Sequence, residues 1–212
     1  LGTGCIVPDH GYLTIGTGMA VGVWSPEYLC DRAFRTMGSC TGEGYILETV
    51  VRSGAFLINW FVDQFTPGRK LDPAIFEKLE RECARIPVGS DGLLAVPYWS
   101  GVMSPYWNSN ARGIMIGLSG NHRPAHVYRA ILEGLALEQA LQTELVESSG
   151  DIDIAFLYAI GGGAASALLC QIFSNAMGKP LRCLDTVEAS SLGAAMIAAK
   201  SSGWFETYSE TV

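Results

Sequence analysis

Hydrophobic positions along the chain fall into short β-branched runs and longer stretches with helical spacing. The first clear run, residues 12–23, is β-branched and rich in glycine. It predicts two strands joined by a tight turn at Gly16-Thr17-Gly18. Further strands are predicted at residues 33–37, 93–96, 113–118, 152–160 and 181–184.

Apolar residues at helical spacing predict five helices. Gly54 lies inside the first of them, where a glycine costs about 1 kcal/mol relative to alanine. We therefore expect Gly54 to permit a close approach, by a neighbouring helix or by a ligand. In the second helix, Asp72 is the expected N-cap and Pro73 opens the first turn. The predicted helices cover residues 43–64, 72–85, 124–146, 164–177 and 187–201.

The order of these elements is strands first, followed by alternating helices and strands. This order predicts an α/β fold with a mixed sheet flanked by helices. No internal repeat with a period of about 20–50 residues is visible, which indicates a single domain over residues 1–212.

Two glycine-rich turns are candidates for ligand binding. Gly161, Gly162 and Gly163 connect a predicted strand to a helix, so bare backbone N–H groups would be open to a flat ring or a phosphate. Thr17, between two glycines, could offer its hydroxyl to a phosphate oxygen. Each turn also has a purely structural interpretation. The turn at residues 161–163 could be an ordinary strand-to-helix turn, and the turn at Thr17 could be a hairpin turn that uses glycine for positive φ.

Composition narrows the class of protein. The 212 residues are 49% hydrophobic and 17% charged, with a net charge of −7. This acidic balance argues against binding to nucleic acid or to an anionic membrane. No apolar run is long enough to span a bilayer and no secretion leader is recognisable, so we expect a cytoplasmic protein. The start at Leu1, without methionine, is expected of a fragment of a longer chain.

The six cysteines include no Cys-x-x-Cys pair. We expect them to be small buried hydrophobic residues in a reducing cytosol, with a zinc site or a disulfide framework as the alternative. His122 and His126 have the spacing of metal ligands on a helix, but Pro124 between them argues against that role. No metal site is predicted.

The most specific pattern is residues 113–133, GIMIGLSGNHRPAHVYRAILE. The order and spacing of its small, hydrophobic, glycine, polar and acidic residues resemble the second signature of the FGGY family of carbohydrate kinases. This family includes the xylulokinases and the glycerol kinases. Residues 15–18 resemble that family's second phosphate-binding turn, and residues 161–180 resemble its adenosine-binding motif. Nearly the whole chain thus resembles the family's C-terminal domain. The signature positions are filled by Gly113, Met115, Gly117, Leu118, His126, Val127, Ala130, Ile131, Leu132 and Glu133.

The resemblance implies a ribonuclease-H-like fold, of the actin, hexokinase and Hsp70 ATPase type, that binds ATP with Mg²⁺. It implies that Gly16 and Thr17 face the ATP phosphates, and that Gly54 and Asn59 close the other side of the nucleotide. Backbone donors and hydroxyls suit phosphate oxygens, in agreement with this assignment.

In the same comparison, Gly162, Gly163 and Ser166 would cradle the adenine and the ribose. The family's catalytic base, an aspartate, is expected upstream of Leu1, so no catalytic residue is assigned in this chain. Asp9, in the sequence Pro-Asp-His-Gly, is predicted to lie in a turn and does not fit the base. The sugar or polyol would bind through an absent N-terminal domain, and the chain alone is predicted to be inactive.

One segment departs from the family pattern and leaves the substrate open. Related kinases often have Gly-Glu-Arg-Thr-Pro and then an aspartate, where this chain has residues 101–105, GVMSP, and Asn108. The same predicted loop carries four aromatic residues that could line a cleft or pack the loop down. They are Tyr98, Trp99, Tyr106 and Trp107.

Two other functions remain open at this stage. The first is a non-catalytic regulatory domain of the actin-like ATPase group. The second is a dinucleotide-binding oxidoreductase domain, which requires a Gly-x-Gly-x-x-Gly spacing and a later acidic residue that residues 161–163 and their sequel lack. A homo-oligomer is also possible, because half of a two-domain enzyme would expose an apolar cleft.

Overall fold

The computed structural model describes residues 1–66, 72–184 and 188–212. Its main sheet has six strands in the order β3-β4-β2-β1-β7-β8, and a separate two-stranded sheet pairs β5 with β6. The pairs β1–β7 and β7–β8 are parallel, whereas the pairs among β1 to β4 are antiparallel, so the predicted mixed sheet is confirmed. The strands are β1 (His10–Ile15), β2 (Met19–Ser25), β3 (Arg35–Gly38), β4 (Tyr45–Val51), β5 (Leu94–Val96), β6 (Ile114–Ile116), β7 (Phe156–Ile160) and β8 (Leu181–Cys183).

Capping residues mark at least one end of the second, third and fourth helices. The Asp72 side chain accepts a hydrogen bond from the Ala74 N–H at 3.0 Å, which confirms the predicted N-cap. Asp151 and Gly178 adopt the left-handed conformation that closes the third and fourth helices. The helices are α1 (Gly54–Phe65), α2 (Pro73–Cys83), α3 (Pro124–Gly150), α4 (Ala167–Met177) and α5 (Ala189–Ser201).

The longest helix, α3, forms the centre of the core. It contacts α1, α2 and α4 as well as strands β4 and β5. Ile131, Leu132 and Leu135 are almost fully buried in it, and they pack with Leu13 and Ile15 of β1 in one continuous cluster. Burial alternates strictly along β1, so one face of the sheet lies against the helices.

The parallel pairing of β1 with β7 places the candidate site. In this register Thr14 lies opposite Ile160. Because parallel strands end at the same edge of a sheet, the turn that follows β1 and the turn that follows β7 emerge side by side.

The predicted helix over residues 43–64 is wrong in its first half. Tyr45–Val51 forms β4, which pairs with both β2 and β3, and the helix begins only at Gly54. A short apolar run fits a buried strand as well as a helix face, and the strand pairing decided between them. Gly54 therefore does not interrupt a helix.

Several other boundaries moved. The strand predicted at residues 152–160 is shorter, and the helix predicted at 164–177 is preceded by a 3₁₀ turn over Gly162–Ala165 before α4 begins. The last helix starts at Ala189, while Val187, its predicted start, lies outside the described residues.

The six thiols are free, and only half of them fit the prediction of burial. Cys5, Cys83 and Cys170 are buried, whereas Cys30, Cys40 and Cys183 are exposed. Among the helices that the structure describes, none combines the length and the apolar character needed to cross a membrane.

Candidate nucleotide-binding site

The two glycine-rich turns predicted to bind the ligand lie against each other. A side chain on Gly161 would place its Cβ 2.8 Å from the Ile15 carbonyl oxygen, and one on Gly163 would place its Cβ 2.2 Å from Ile15 Cγ2. The turns therefore meet backbone to backbone, and Thr17 and Gly162 lie at one edge of the sheet. We call this pair of turns, residues 15–18 and 161–166, the glycine edge.

The turn after β1 is held from below by the start of α1. The Ala55 N–H donates to the Gly16 carbonyl at 2.8 Å, and the Phe56 N–H donates to the Thr17 carbonyl at 3.1 Å. Gly54 is buried beneath the turn, where a Cβ would lie 2.9 Å from the Gly16 oxygen. The turn itself thus makes the close approach that is expected at Gly54.

Thr17 projects from this supported turn with an exposed side chain. Its hydroxyl has a glycine on each side, so no neighbouring side chain in the turn screens it. An anion that approached the edge would meet this hydroxyl first.

The second turn divides its glycines between two tasks. Gly161 has a φ of 87°, which favours glycine, and Gly163 has no room for a Cβ beside Ile15. Gly162, in contrast, is exposed and has no atom within 4 Å of an added Cβ. Gly161 and Gly163 are needed by the fold, whereas Gly162 leaves an open flat surface.

Ser166 closes the second turn and begins α4. Its Oγ accepts a hydrogen bond from the Leu169 N–H at 3.1 Å, which caps the helix. The hydroxyl proton remains available for a ligand oxygen, since the cap uses only a lone pair. Asn59 is half-buried in α1, and among the described residues no hydrogen bond joins it to either turn.

The edge contains no metal-binding cluster of its own. Across residues 1–66, 72–184 and 188–212, no group of three or more His, Cys, Asp or Glu side chains is placed to hold a metal ion.

Known proteins of similar sequence identify the family of this chain. Residues 11–202 match the model of the FGGY family of carbohydrate kinases, C-terminal domain. The chain belongs to the FGGY family. It is 33% identical over 178 residues to a xylulose kinase of Bacillus subtilis, and this match covers 84% of this chain and 32% of that protein. It is also 33% identical over 203 residues to a glycerol kinase of Aromatoleum aromaticum, which covers 93% of this chain and 40% of that protein.

The fold of this FGGY domain is that of solved carbohydrate kinases. Plasmodium falciparum glycerol kinase with ADP superposes with a TM-score of 0.83 over 99% of this chain and 42% of that one, at 21% identity. The predicted α/β fold of the actin and hexokinase type is thereby confirmed. The chain spans less than half the length of the relatives that it matches.

Another glycine-containing turn of the FGGY domain is closed rather than open. Residues 89–92, Gly-Ser-Asp-Gly, all have positive φ, between 48° and 89°. Glu133 of α3 accepts hydrogen bonds from the Gly89 N–H at 3.1 Å and the Ser90 Oγ at 3.3 Å. Arg129, one helical turn earlier, donates to the same carboxylate at 2.5 Å. We call residues 89–92 the clamp turn.

Two histidines complete the clamp turn, which explains their spacing. His126 Nε2 lies 3.1 Å from the Asp91 carboxylate, and His122 Nε2 lies 3.3 Å from the Asp91 carbonyl oxygen. Their Nδ1 atoms accept backbone N–H groups, from Arg123 at 3.2 Å and from Ser119 at 2.9 Å. All four ring nitrogens are engaged within the protein, so this pair does not offer a metal site.

For the four aromatic residues of the loop over residues 97–110, the described contacts support the packing role. Trp99 packs on Trp60 with ring centroids 5.3 Å apart, and the Tyr98 hydroxyl donates to Glu138 at 2.9 Å. Tyr106 and Trp107 keep about half of their surface exposed, at 51% and 46%. Trp107 nevertheless ties the loop to the rest of the domain, because its indole N–H donates to the Arg32 carbonyl at 2.8 Å.

Proposed function

We propose that this chain is the nucleotide-binding half of an ATP-dependent kinase that transfers the γ-phosphoryl group of Mg-ATP to a hydroxyl of a sugar or polyol. The observation that carries the proposal is the juxtaposition of two open turns, one with a free hydroxyl and one with a flat glycine surface, at a single sheet edge. Membership of a carbohydrate kinase family supports ATP as the ligand of that edge.

The residues at the edge fit the parts of ATP. Gly16 and Thr17 would bind the phosphates, because a backbone turn and a hydroxyl donate well to phosphate oxygens. Gly162 and Gly163 would lie under the adenine, and Ser166 would donate to the ribose. The ADP in the related glycerol kinase structure supports a nucleotide of this class.

Gly54 and Asn59 contribute differently in this proposal. Gly54 supports the phosphate turn from below, since any side chain there would push Gly16 out of place. Asn59 would face the nucleotide from α1, a role that no described contact yet supports. Mg²⁺ would bind the phosphate oxygens and neutralise their charge. The described residues contain no group of three or more His, Cys, Asp or Glu side chains placed to hold the ion.

Catalysis in such a kinase is mainly positioning and charge stabilisation. This chain would orient the triphosphate and exclude water from it. The base that takes the proton of the acceptor hydroxyl would belong to an N-terminal sugar-binding domain, outside these 212 residues. We therefore expect no sugar-dependent ATP turnover by the chain alone.

The acceptor and the assembly are proposed only as classes. Both a xylulose kinase and a glycerol kinase are among the relatives, so a sugar and a polyol are equally supported as the acceptor.

Exposed aliphatic side chains on the small β5–β6 sheet and in the residues that follow it favour self-association of the chain. Six free thiols suit a reducing cytoplasm. The exposed aliphatic residues are Leu94, Ile114, Ile116 and Leu118.

Substitutions at the open positions test the proposal in the kinase that carries this domain. Thr17→Ala and Gly162→Val should each raise the KM for ATP by about tenfold or more, because a hydrogen bond to a charged group contributes about 1.5–3 kcal/mol and a valine would fill the base surface. The KM for the sugar or polyol should change little.

Gly120→Val is the matched control, since Gly120 is also exposed with no atom within 4 Å of an added Cβ but lies away from the glycine edge. A larger effect on the sugar KM than on the ATP KM would contradict the assignment. Binding of NADH in preference to ATP would favour the oxidoreductase alternative instead.

A further inference from the structure

Two thiols meet directly behind the second turn of the glycine edge. The Sγ atoms of Cys170 and Cys183 are 3.9 Å apart. Both also point at the carbonyl oxygen of Ala164, from 3.5 Å for Cys170 and 3.9 Å for Cys183. Ala164 belongs to the 3₁₀ turn that follows Gly161, so the sulfur pair contacts the proposed nucleotide-binding segment itself.

The fold holds these two sulfurs together from two different elements. Cys170 lies in the first turn of α4, where its N–H donates to the Ser166 carbonyl at 3.0 Å. Cys183 is the last residue of β8, which pairs in parallel with β7. A disulfide joins sulfurs about 2 Å apart, so the two Sγ atoms must come about 2 Å closer for the bond to form.

The two thiols differ in access to solvent. Cys183 is exposed, whereas Cys170 is buried. Burial, with a smaller contribution from the neighbouring Cys183, raises the pKa of Cys170 to about 12. An oxidant from solvent would therefore reach and react with Cys183 first.

We propose that Cys170 and Cys183 form an oxidisable pair that a peroxide converts into a disulfide, and that this bond weakens nucleotide binding at the glycine edge. The Cys183 thiol gives up its proton and its sulfur attacks one peroxide oxygen; the O–O bond breaks, a sulfenic acid forms, and the expelled hydroxide takes up that proton and leaves as water. The Cys170 sulfur then attacks the sulfenic sulfur, so that an S–S bond forms and the hydroxyl leaves as a second water with the Cys170 proton. Two thiols and one hydrogen peroxide thus give one disulfide and two waters.

The bond would act on the turn through Ala164. Both S–H groups that face its carbonyl disappear on oxidation, and the sulfurs must move toward each other. The turn that carries Gly162 and Gly163 would thus lose both sulfur contacts at Ala164. This consequence rests on the proposed function, whereas the formation of the disulfide does not.

Peptide mapping tests the chemistry in the intact chain. Trypsin cuts after Arg182, between the two cysteines, and leaves Cys170 in residues 130–182 and Cys183 in residues 183–200. Hydrogen peroxide should link these two peptides with the loss of two hydrogen atoms, and dithiothreitol should separate them. Cys170→Ala should abolish the link and leave a Cys183 sulfenic acid that dimedone traps. Cys40→Ala, which removes an exposed thiol elsewhere, should leave the link unchanged.

Nucleotide titration of the reduced and oxidised chain tests the consequence. ATP affinity should fall by about fivefold or more on oxidation, which is the lower end of the effects that one site typically has on the affinity of another. The affinity should recover with dithiothreitol. Cys170→Ala should show no such fall. Unlinked peptides after peroxide treatment, or a linked pair with unchanged ATP affinity, would overturn the proposal. If the reduced chain binds no ATP, the proposed function and the regulatory claim fail together, while the peptide map still decides whether the pair forms.

Discussion

The glycine edge and the clamp turn use similar residues for opposite purposes. Both are short, glycine-containing turns next to a strand. In the clamp turn, the side chains of α3 take up the polar groups, through Glu133 and His126. At the glycine edge, Thr17 and Gly162 remain exposed, and the support comes from backbone contacts beneath them.

This difference separates a turn that holds the fold from a turn that can hold a ligand. A turn whose donors and acceptors are satisfied internally has little to offer a phosphate. A turn that is supported by backbone contacts and exposed on its other side is preorganised, so a ligand does not have to order it on binding. Substitutions should therefore affect stability at the clamp turn and binding at the glycine edge.

The largest expected effect is at the clamp turn. Glu133→Ala should lower the free energy of unfolding by about 3 kcal/mol or more, because it leaves the buried Arg129 without its carboxylate. Urea denaturation measures the change. Glu77→Ala, at an exposed position on α2, should alter stability by about 0.5 kcal/mol at most. If the two variants were equally stable, the clamp turn would not hold the fold.

A pair of substitutions within one turn of the glycine edge sharpens the contrast. Gly163→Ala should cost about 1–3 kcal/mol of stability, since its Cβ would overlap the buried Ile15. Gly162→Ala should stay within about 0.5 kcal/mol of the unmodified chain but weaken ATP binding. Thermal unfolding and an ATP titration of both variants give the comparison. Equal losses of stability would show that the turn has no separate open face.

The smallest expected effect concerns Glu138, which lies on α3 further along than Glu133 and has neutral partners, Tyr98 and Gln142. Burial raises the pKa of Glu138, and the two hydrogen bonds only partly oppose this. The folded state thus holds the proton more tightly than the unfolded state. The stability from this group is present below the unfolded pKa and is lost as the pH rises through the folded pKa.

Urea denaturation across a pH series checks this sign. The unfolding free energy of the unmodified chain, minus that of Glu138→Gln, should decline as the pH rises above the ordinary carboxyl value of 4.5. Glu144→Gln, the same substitution at an exposed position on the same helix, is the matched control. A flat difference for Glu138→Gln would show that this carboxylate tolerates its burial without cost.

Much of the fold and of the candidate site follows from local sequence. The strand-turn-strand around Gly16 and the strand-turn-helix around Gly162 were predicted correctly, because turn residues and apolar periodicity act within a few positions. The adjacency of the two turns required the parallel pairing of β1 and β7, which the order of the elements suggests but cannot establish.

What the sequence could not provide depends on distant contacts. The start of α1 at Gly54 is decided by the pairing of β4 on both edges and by the turn that covers Gly54. The clamp turn joins Asp91 to His126, 35 residues away, and no local pattern marks such a link. The only hint was the Gly-Ser-Asp-Gly sequence together with two histidines spaced one helical turn apart.

The central claim is that one nucleotide binds across both turns of the glycine edge. The most direct test is the change in backbone amide NMR shifts of the chain on titration with ADP. We predict that the largest changes fall in residues 15–18 and 161–166 together, while residues 89–92 stay unchanged. Shifts confined to one of the two turns, or centred on the clamp turn, would contradict the account.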